Sequence, residues 1–129
     1  MIEIGQASRL SGVGIETIRY YEREGIIPAA ARALNNRRVY GPTDVGRLRF
    51  LKRCRDLGFG LADARRLLDL SEHQSTDCQQ AKEMAQTHIA DVRAKIAALA
   101  TLDAALSQLT ANCDGGSRAC PMLDRLRMA

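Results

Sequence analysis

The stretch TDCQQAKEMAQTHIADVRAKIAALATLDAALSQL, residues 76–109, decides how this chain folds. It contains neither Pro nor Gly, so no residue in it breaks a helix. Ala85, Ile89, Val92, Ile96, Leu99, Leu102, Leu106 and Leu109 follow one another in steps of three and four, which gathers them on one helical face. Thr76, with Gln79 three residues on, fits the capping-box pattern and predicts the helix start. Cys78 then falls at the second helical position, where free amide groups and the helix dipole favour a thiolate. An apolar stripe of this length with polar flanks is a coiled-coil seam, and self-association is the way to bury it. His88 lies beside the seam and reads as a packing residue.

The thiols give the seam a direction. Cys113 and Cys120 follow just past its last turn. A single helix rising about 1.5 Å per residue puts Cys78 on the order of 50 Å from them, too far to share a ligand within one chain. Laid antiparallel against a second copy, the helix brings Cys78 of one chain to Cys113 and Cys120 of the other, twice over. The expectation is a homodimer with two thiol sites.

Outward from the helix, composition sets bounds. Hydrophobic residues at 46%, aromatics at only 4% and charged residues at 26% describe a helix-rich folded chain, not a disordered one. No apolar run approaches the roughly 20 residues of a membrane span. The amino terminus, MIEIGQASRL, lacks the basic start and apolar core of a signal peptide, so the cytoplasm is the expected compartment. Four cysteines there read as ligands or core residues before disulfides. The net charge of +4 is unevenly spread: residues 1–70 carry 13 Lys and Arg against 8 Asp and Glu, and residues 71–129 carry 6 against 7. A basic, arginine-rich first half suits a polyanion, although a solvated basic face reads the same way on charge alone.

That half opens with two short helices. Ile4, Ala7 and Leu10 recur at helical spacing until Ser11-Gly12 stops them. A second helix begins near Ile15, capped by Gly14, and runs IETIRYYERE to Gly25 with Pro28 beyond. Two helices joined by a tight Gly-containing turn form a helix-turn-helix, whose second helix enters the DNA major groove. Its exposed side offers Thr17, Arg19, Tyr20 and Arg23, suited to guanine edges and phosphate oxygens. In AAARALNNRRVY, the pair Asn35-Asn36 tolerates positive φ and predicts a hairpin wing. Arg37 and Arg38 then project from the returning strand toward a nucleic-acid backbone. A solvated loop is the alternative.

Pro42-Thr43-Asp44 opens a third helix, with Thr43 or Asp44 as cap and Val45, Leu48, Leu51 and Cys54 as its buried stripe. Cys54 on this spacing reads as a core thiol. LADARRLLDL makes a fourth helix with Leu61, Ala64, Leu67 and Leu68 inward. The expected organisation is a winged helix-turn-helix DNA-binding domain over 1–70, a hinge over 71–75, a dimerisation helix over 76–110, and a loop with a short terminal helix, opened by Pro121, over 111–129.

The loop CDGGSRAC supplies two thiols, and a partner's helix start supplies a third. Charge then discriminates between ions. Two thiolates around monovalent Cu(I), or three around a divalent ion, each leave a single negative charge. A third cysteine therefore favours a soft divalent ion, Hg(II), Cd(II) or Pb(II). Zn(II) usually takes a fourth ligand, and the loop has no histidine, though Asp114 is a hard donor.

The run GVGIETIRYYEREGIIP, then RRVY, then RLRFLKRCRDLGF resembles the MerR family of metal- and stress-responsive transcription regulators, and the likeness covers essentially the whole chain. The resemblance implies a mostly α fold, a winged helix-turn-helix head on a long antiparallel coiled-coil dimerisation helix. It implies a homodimer bound to double-stranded promoter DNA that bends and underwinds the duplex when its effector binds, so that RNA polymerase can use the promoter. This is control through DNA shape. By motif, Arg19 and Tyr20 in the recognition helix and Arg37, Arg38 and Tyr40 in the wing correspond to DNA contacts. Cys113 and Cys120 match the family's effector-loop cysteines. Cys78 matches the position that is cysteine in divalent-ion branches and serine in the copper branch. Asn36-Arg37 stands where many members have Gly-Tyr. The loop is shorter than in the mercury branch and nearer the cadmium-responsive one, while the Cys-Pro that follows resembles the mercury and copper branches. Hg(II), Cd(II) and Pb(II) stay open as effectors.

Two other readings compete. A redox or thiol-responsive regulator of the same fold would hold an iron–sulfur cluster or form a disulfide, yet clusters usually need four close cysteines and this tail has two. A thiol enzyme would show a CxxC motif or a catalytic histidine setting, and neither is present.

Overall fold

In the computed structural model, which describes residues 1–73, 78–111 and 120–128, six helices and one hairpin follow in order. They are α1 (Ile4–Ser11), α2 (Ile15–Arg23), β1 (Ala31–Arg32), β2 (Arg38–Val39), α3 (Pro42–Asp56), α4 (Leu61–Glu72), α5 (Gln79–Ala111) and α6 (Pro121–Arg125). The chain divides into two compact units, Met1–Met84 and Ala85–Ala129.

The turn between α1 and α2 is fastened by its own small residues. Gly12 adopts φ 78°, a left-handed conformation that ends α1, and its N–H donates to the Ser8 carbonyl at 2.9 Å. Ser8 Oγ donates to the Val13 carbonyl at 2.6 Å, and the Val13 N–H donates to Ser11 Oγ at 3.2 Å. Ser11 is therefore buried, whereas Leu10, expected inward by spacing, is 47% exposed. The hydroxyl wins the inner position because the turn's backbone needs its oxygen.

Beyond α2 the hairpin forms around the predicted pair. Ala31 stands opposite Val39 and Arg32 opposite Arg38. Asn36 holds φ 65°, and Asn35 Oδ1 accepts the Arg37 N–H at 3.1 Å. The N-terminal segment joins the wing through Ile2, which exchanges backbone hydrogen bonds with Tyr40 at 2.9 and 2.7 Å.

The core of the first unit is built on α3, which packs against α1 and α4. Val45, Leu48, Leu51 and Cys54 are all buried, as their spacing predicts, and Ile18 of α2 joins them inside. Full burial of a leucine stabilises by about 1.5–3 kcal/mol. The third helix starts at Pro42 itself, with Gly41 rather than Thr43 or Asp44 before it. Proline is pre-organised for the first helical position, and Asp44 acts from the third, accepting the Gly41 N–H at 2.8 Å. In α4 only Ala64 and Leu68 are fully buried, with Leu61 and Leu67 half-buried. That helix continues through Ser71 and Glu72, read from sequence as hinge. Ser71 Oγ donates to the Leu68 carbonyl at 2.7 Å, and Arg47 Nε donates to Glu72 at 2.6 Å.

The expected Thr76 cap lies outside the described residues. The Cys78 carbonyl accepts the Lys82 N–H at 2.9 Å, which makes Cys78 the boundary residue of α5 instead of its second helical one. Within α5 no residue is buried. Ile89, Val92, Ile96, Leu99, Leu102 and Leu106 are 38 to 64% exposed. Cys120 precedes α6, which Pro121 opens as expected. No helix among the described residues is long and apolar enough to cross a membrane.

Candidate nucleic-acid interface and metal thiols

Helical periodicity divides α2 into two faces. Ile18 and Tyr21 are buried, and Thr17, Arg19, Tyr20 and Arg23 are exposed. Arg19 pairs with Glu16 at 2.6 Å, and the Arg23 guanidinium lies 5.7 Å from the Tyr20 ring centre. Both pairs are local to the helix and solvent-facing, so they orient the cations without consuming them.

The wing stands beside this helix. Arg19 from α2 and Arg32, Arg37 and Arg38 from the hairpin line one open cleft of about 420 Å³, together with Glu3 and Ile4. The fold thus gathers Arg19, Arg37 and Arg38, and adds Arg32. Spacing along the chain does not single out Arg32, but a hairpin centred on Asn35-Asn36 sets it across from Arg38. Thr17 lines a second open cleft, of about 340 Å³, with Gly12, Gly14, Tyr21, Lys52 and Arg55. Burial raises the Tyr21 pKa, while Arg55 and Lys52 pull it the other way. Lys52 and Arg55 are further cations beside the N-terminus of α2, a place that suits an anion. Their sequence signal is only that they flank the buried stripe of α3.

Tyr40 departs from the expectation of a DNA contact. It is 1% exposed, and its hydroxyl donates to Glu22 Oε1. Burial first, then that hydrogen bond, pushes its pKa well above the usual tyrosine value. A side chain packed inside with its hydroxyl engaged supports the wing and is not free to reach a phosphate. Its partner Glu22 has a side chain only 4% exposed and also faces Arg38, with Nη1 at 3.3 Å from Oε2. An acidic residue in a basic head looks like a solvated one, which is why spacing gives no sign of this role.

The thiols fall into two kinds. Cys54 is 7% exposed, and burial raises its pKa, which suits the inert core residue its spacing predicts. Cys78 is exposed and Cys120 half-exposed, both free, and Cys113 lies outside the described residues. Sulfur donors of this kind fit a soft ion. Among the described residues, no three His, Cys, Asp or Glu side chains are placed to hold one.

The chain matches the family model described as MerR HTH family regulatory protein over residues 2–71, and the one described as MerR, DNA binding over residues 45–109. It is 40% identical to heavy metal-dependent transcription regulator 2 of Rhizobium meliloti (strain 1021), across 97% of this chain and 86% of that protein. To the mercuric resistance operon regulatory protein of Pseudomonas fluorescens it is 37% identical, across 98% of this chain and 88% of that one. Its fold is similar, with a TM-score of 0.82, to the crystal structure of the transcription regulator PbrR691 from Ralstonia metallidurans CH34 in complex with lead(II), at 34% identity across 98% and 99% of the two chains.

Proposed function

This chain belongs to the MerR family of helix-turn-helix regulatory proteins, a family of transcription regulators and not of enzymes, and we propose that it is one whose effector is a soft divalent metal ion. The observation that carries this reading is the separation of two chemistries. An arginine-lined cleft joins the recognition helix to the wing, and free thiols stand before and after α5 in the chain.

The protein binds promoter DNA as a homodimer. In α2, Thr17, Arg19, Tyr20 and Arg23 face the major groove, and Arg37 and Arg38 reach the backbone from the wing. Arginine forks suit guanine edges and phosphates. The apolar face of α5, unburied in a single chain, is the seam of an antiparallel pair. Pairing brings Cys78 of one protomer to Cys113 and Cys120 of its partner. Three thiolates hold a divalent ion with a single negative charge left over, a set suited to Hg(II), Cd(II) or Pb(II). Two relatives point the same way: one is named for mercuric resistance, and another is solved with lead(II). Occupation of the sites changes how the dimer shapes the duplex, so that RNA polymerase can use the promoter.

Reporter induction across Cu(I), Zn(II), Cd(II), Pb(II) and Hg(II) tests the reading. Induction by one or more of the last three, lost in Cys78→Ser, is the expected result. Induction by Cu(I) alone, or an unchanged response in Cys78→Ser, refutes it.

A further inference from the structure

The hairpin register sets Arg32 directly across from Arg38, and like charges directly opposed on a sheet destabilise it. Arg37 and Arg19 line the same cleft. Each of the opposed arginines is drawn aside by a partner. Arg32 Nη1 donates to the Asn36 carbonyl at 2.8 Å, and Arg38 Nη1 lies 3.3 Å from Glu22 Oε2. Glu22 belongs to α2, so the carboxylate that steadies the wing is part of the recognition helix. Its two oxygens have separate duties. Oε1 accepts the Tyr40 hydroxyl, whereas Oε2 receives no hydrogen bond among the described residues and is paired by charge alone.

We propose that Glu22 is a positioning residue for DNA binding: its buried carboxylate ties the wing to the recognition helix and aims Arg38 along the arginine cleft. A carboxylate with a side chain 4% exposed has been stripped of water, and removal from water is costly unless cations surround it. Arg38, one of the cations lining the cleft, supplies that charge at 3.3 Å. A guanidinium has five N–H donors, so Arg38 keeps donors for a phosphate while one edge faces Glu22. Aiming a long side chain before the duplex arrives spares the ordering cost of binding, an effect of roughly three- to tenfold in affinity. The inference rests on the DNA-binding reading above.

The probes are a duplex selected from a random-sequence pool by the wild-type protein and a scrambled duplex of equal length. Glu22→Gln keeps the size of the side chain and an oxygen for Tyr40, but removes the charge that aims Arg38. Its affinity for both duplexes should fall roughly three- to tenfold, and the slope of log affinity against log salt should flatten by up to about one. In an Arg38→Ala background, Glu22→Gln should cause no further loss. If Glu22 only neutralises Arg38, the variant instead binds both duplexes more tightly with a steeper slope, and the inference is overturned. It is equally overturned if affinity and slope stay at wild-type values while the melting temperature drops. Should Glu22→Gln not fold, Arg38→Lys carries the test, since it keeps the charge and loses the fork; unchanged affinity there overturns the proposal. If the wild-type protein enriches no duplex, the DNA reading itself falls, and this inference with it.

Discussion

The Tyr40 hydroxyl donates a hydrogen bond to Glu22 Oε1, joining the end of the wing to the recognition helix beneath the surface. Both groups pay for that contact with lost hydration, so it ties stability to alkaline pH. Burial and the Glu22 hydrogen bond raise the Tyr40 pKa from an ordinary 10.0, burial raises Tyr21 from 10.0, and burial raises Cys54 from 9.0. Each group is neutral when protonated, and the folded chain holds its proton more tightly than the unfolded one. Their stabilisation is therefore complete below the unfolded values and falls as pH rises through 9.0 and then 10.0. Urea unfolding followed from neutral pH to about pH 11 should show this decline. Cys54→Ala should remove its early part. Tyr40→Phe should reduce the later part and cost about 1–3 kcal/mol at neutral pH, because Glu22 loses a partner.

The core stripe of α3 makes a sharper comparison. Leu48 is fully buried, and Leu10 is 47% exposed on α1. Leu48→Ala should destabilise by about 2–5 kcal/mol, and Leu10→Ala by no more than about 0.5 kcal/mol. Urea midpoints of the two variants check this. A large loss at Leu10 would mean that helical spacing, which places Leu10 inward, describes α1 better than the Ser11 hydroxyl does.

Where apolar spacing decides burial, the fold is legible in the sequence. Val45, Leu48, Leu51 and Cys54 repeat every three residues and all four are buried. Gly12, Gly25 and Asn36, at positions where the chain turns, all hold positive φ. Sequence misleads where a polar group takes an inner place for a hydrogen bond. Ser11 displaces Leu10 because Val13 needs an acceptor. Tyr40 closely follows Arg37 and Arg38 in sequence and yet points inward, because Glu22, eighteen residues earlier, accepts its hydroxyl. The second pairing is long-range, and neither carries a periodic signal. Proline misleads differently: the cap before Pro42 falls at Gly41, a residue with no side chain to announce it.

Asn36 holds φ 65° at the wing's turn, a conformation that disfavours β-branched side chains. Asn36→Gly should leave stability nearly unchanged, and Asn36→Val should cost about 1–2 kcal/mol. Because the turn sets Arg32 opposite Arg38, the valine variant should also weaken binding to the selected duplex while the glycine variant does not. Thermal melts and titrations on one preparation of each variant measure both effects.

The exposed face of α5 tests the proposed dimer. Ile96 and Leu99 are 59% and 64% exposed in one chain, and lysine on a coiled-coil seam carries its charge into the interface. Ile96→Lys with Leu99→Lys should convert the dimer to monomer in sedimentation. The first unit should keep its core, since neither residue belongs to it. A double variant that remains dimeric would place the dimer contact elsewhere.

Complementation between two defective chains tests where the metal thiols meet. Cys78→Ser lacks the thiol before α5, and Cys120→Ser lacks the one before α6. A site shared across the dimer needs Cys78 from one protomer with Cys113 and Cys120 from its partner, so neither homodimer has a complete set. A heterodimer of the two variants has one complete set, because the Cys120→Ser chain still supplies Cys78 and the Cys78→Ser chain still supplies the pair. Mixed by unfolding and refolding together, the variants should bind Hg(II) or Cd(II) tightly in the heterodimer and only weakly in either homodimer, read from the thiolate-to-metal charge-transfer absorbance. A site built within one chain predicts no such rescue, since each chain would lack one of its own thiols. Differently tagged variants allow the heterodimer to be isolated, and metal content measured on it alone separates the two arrangements.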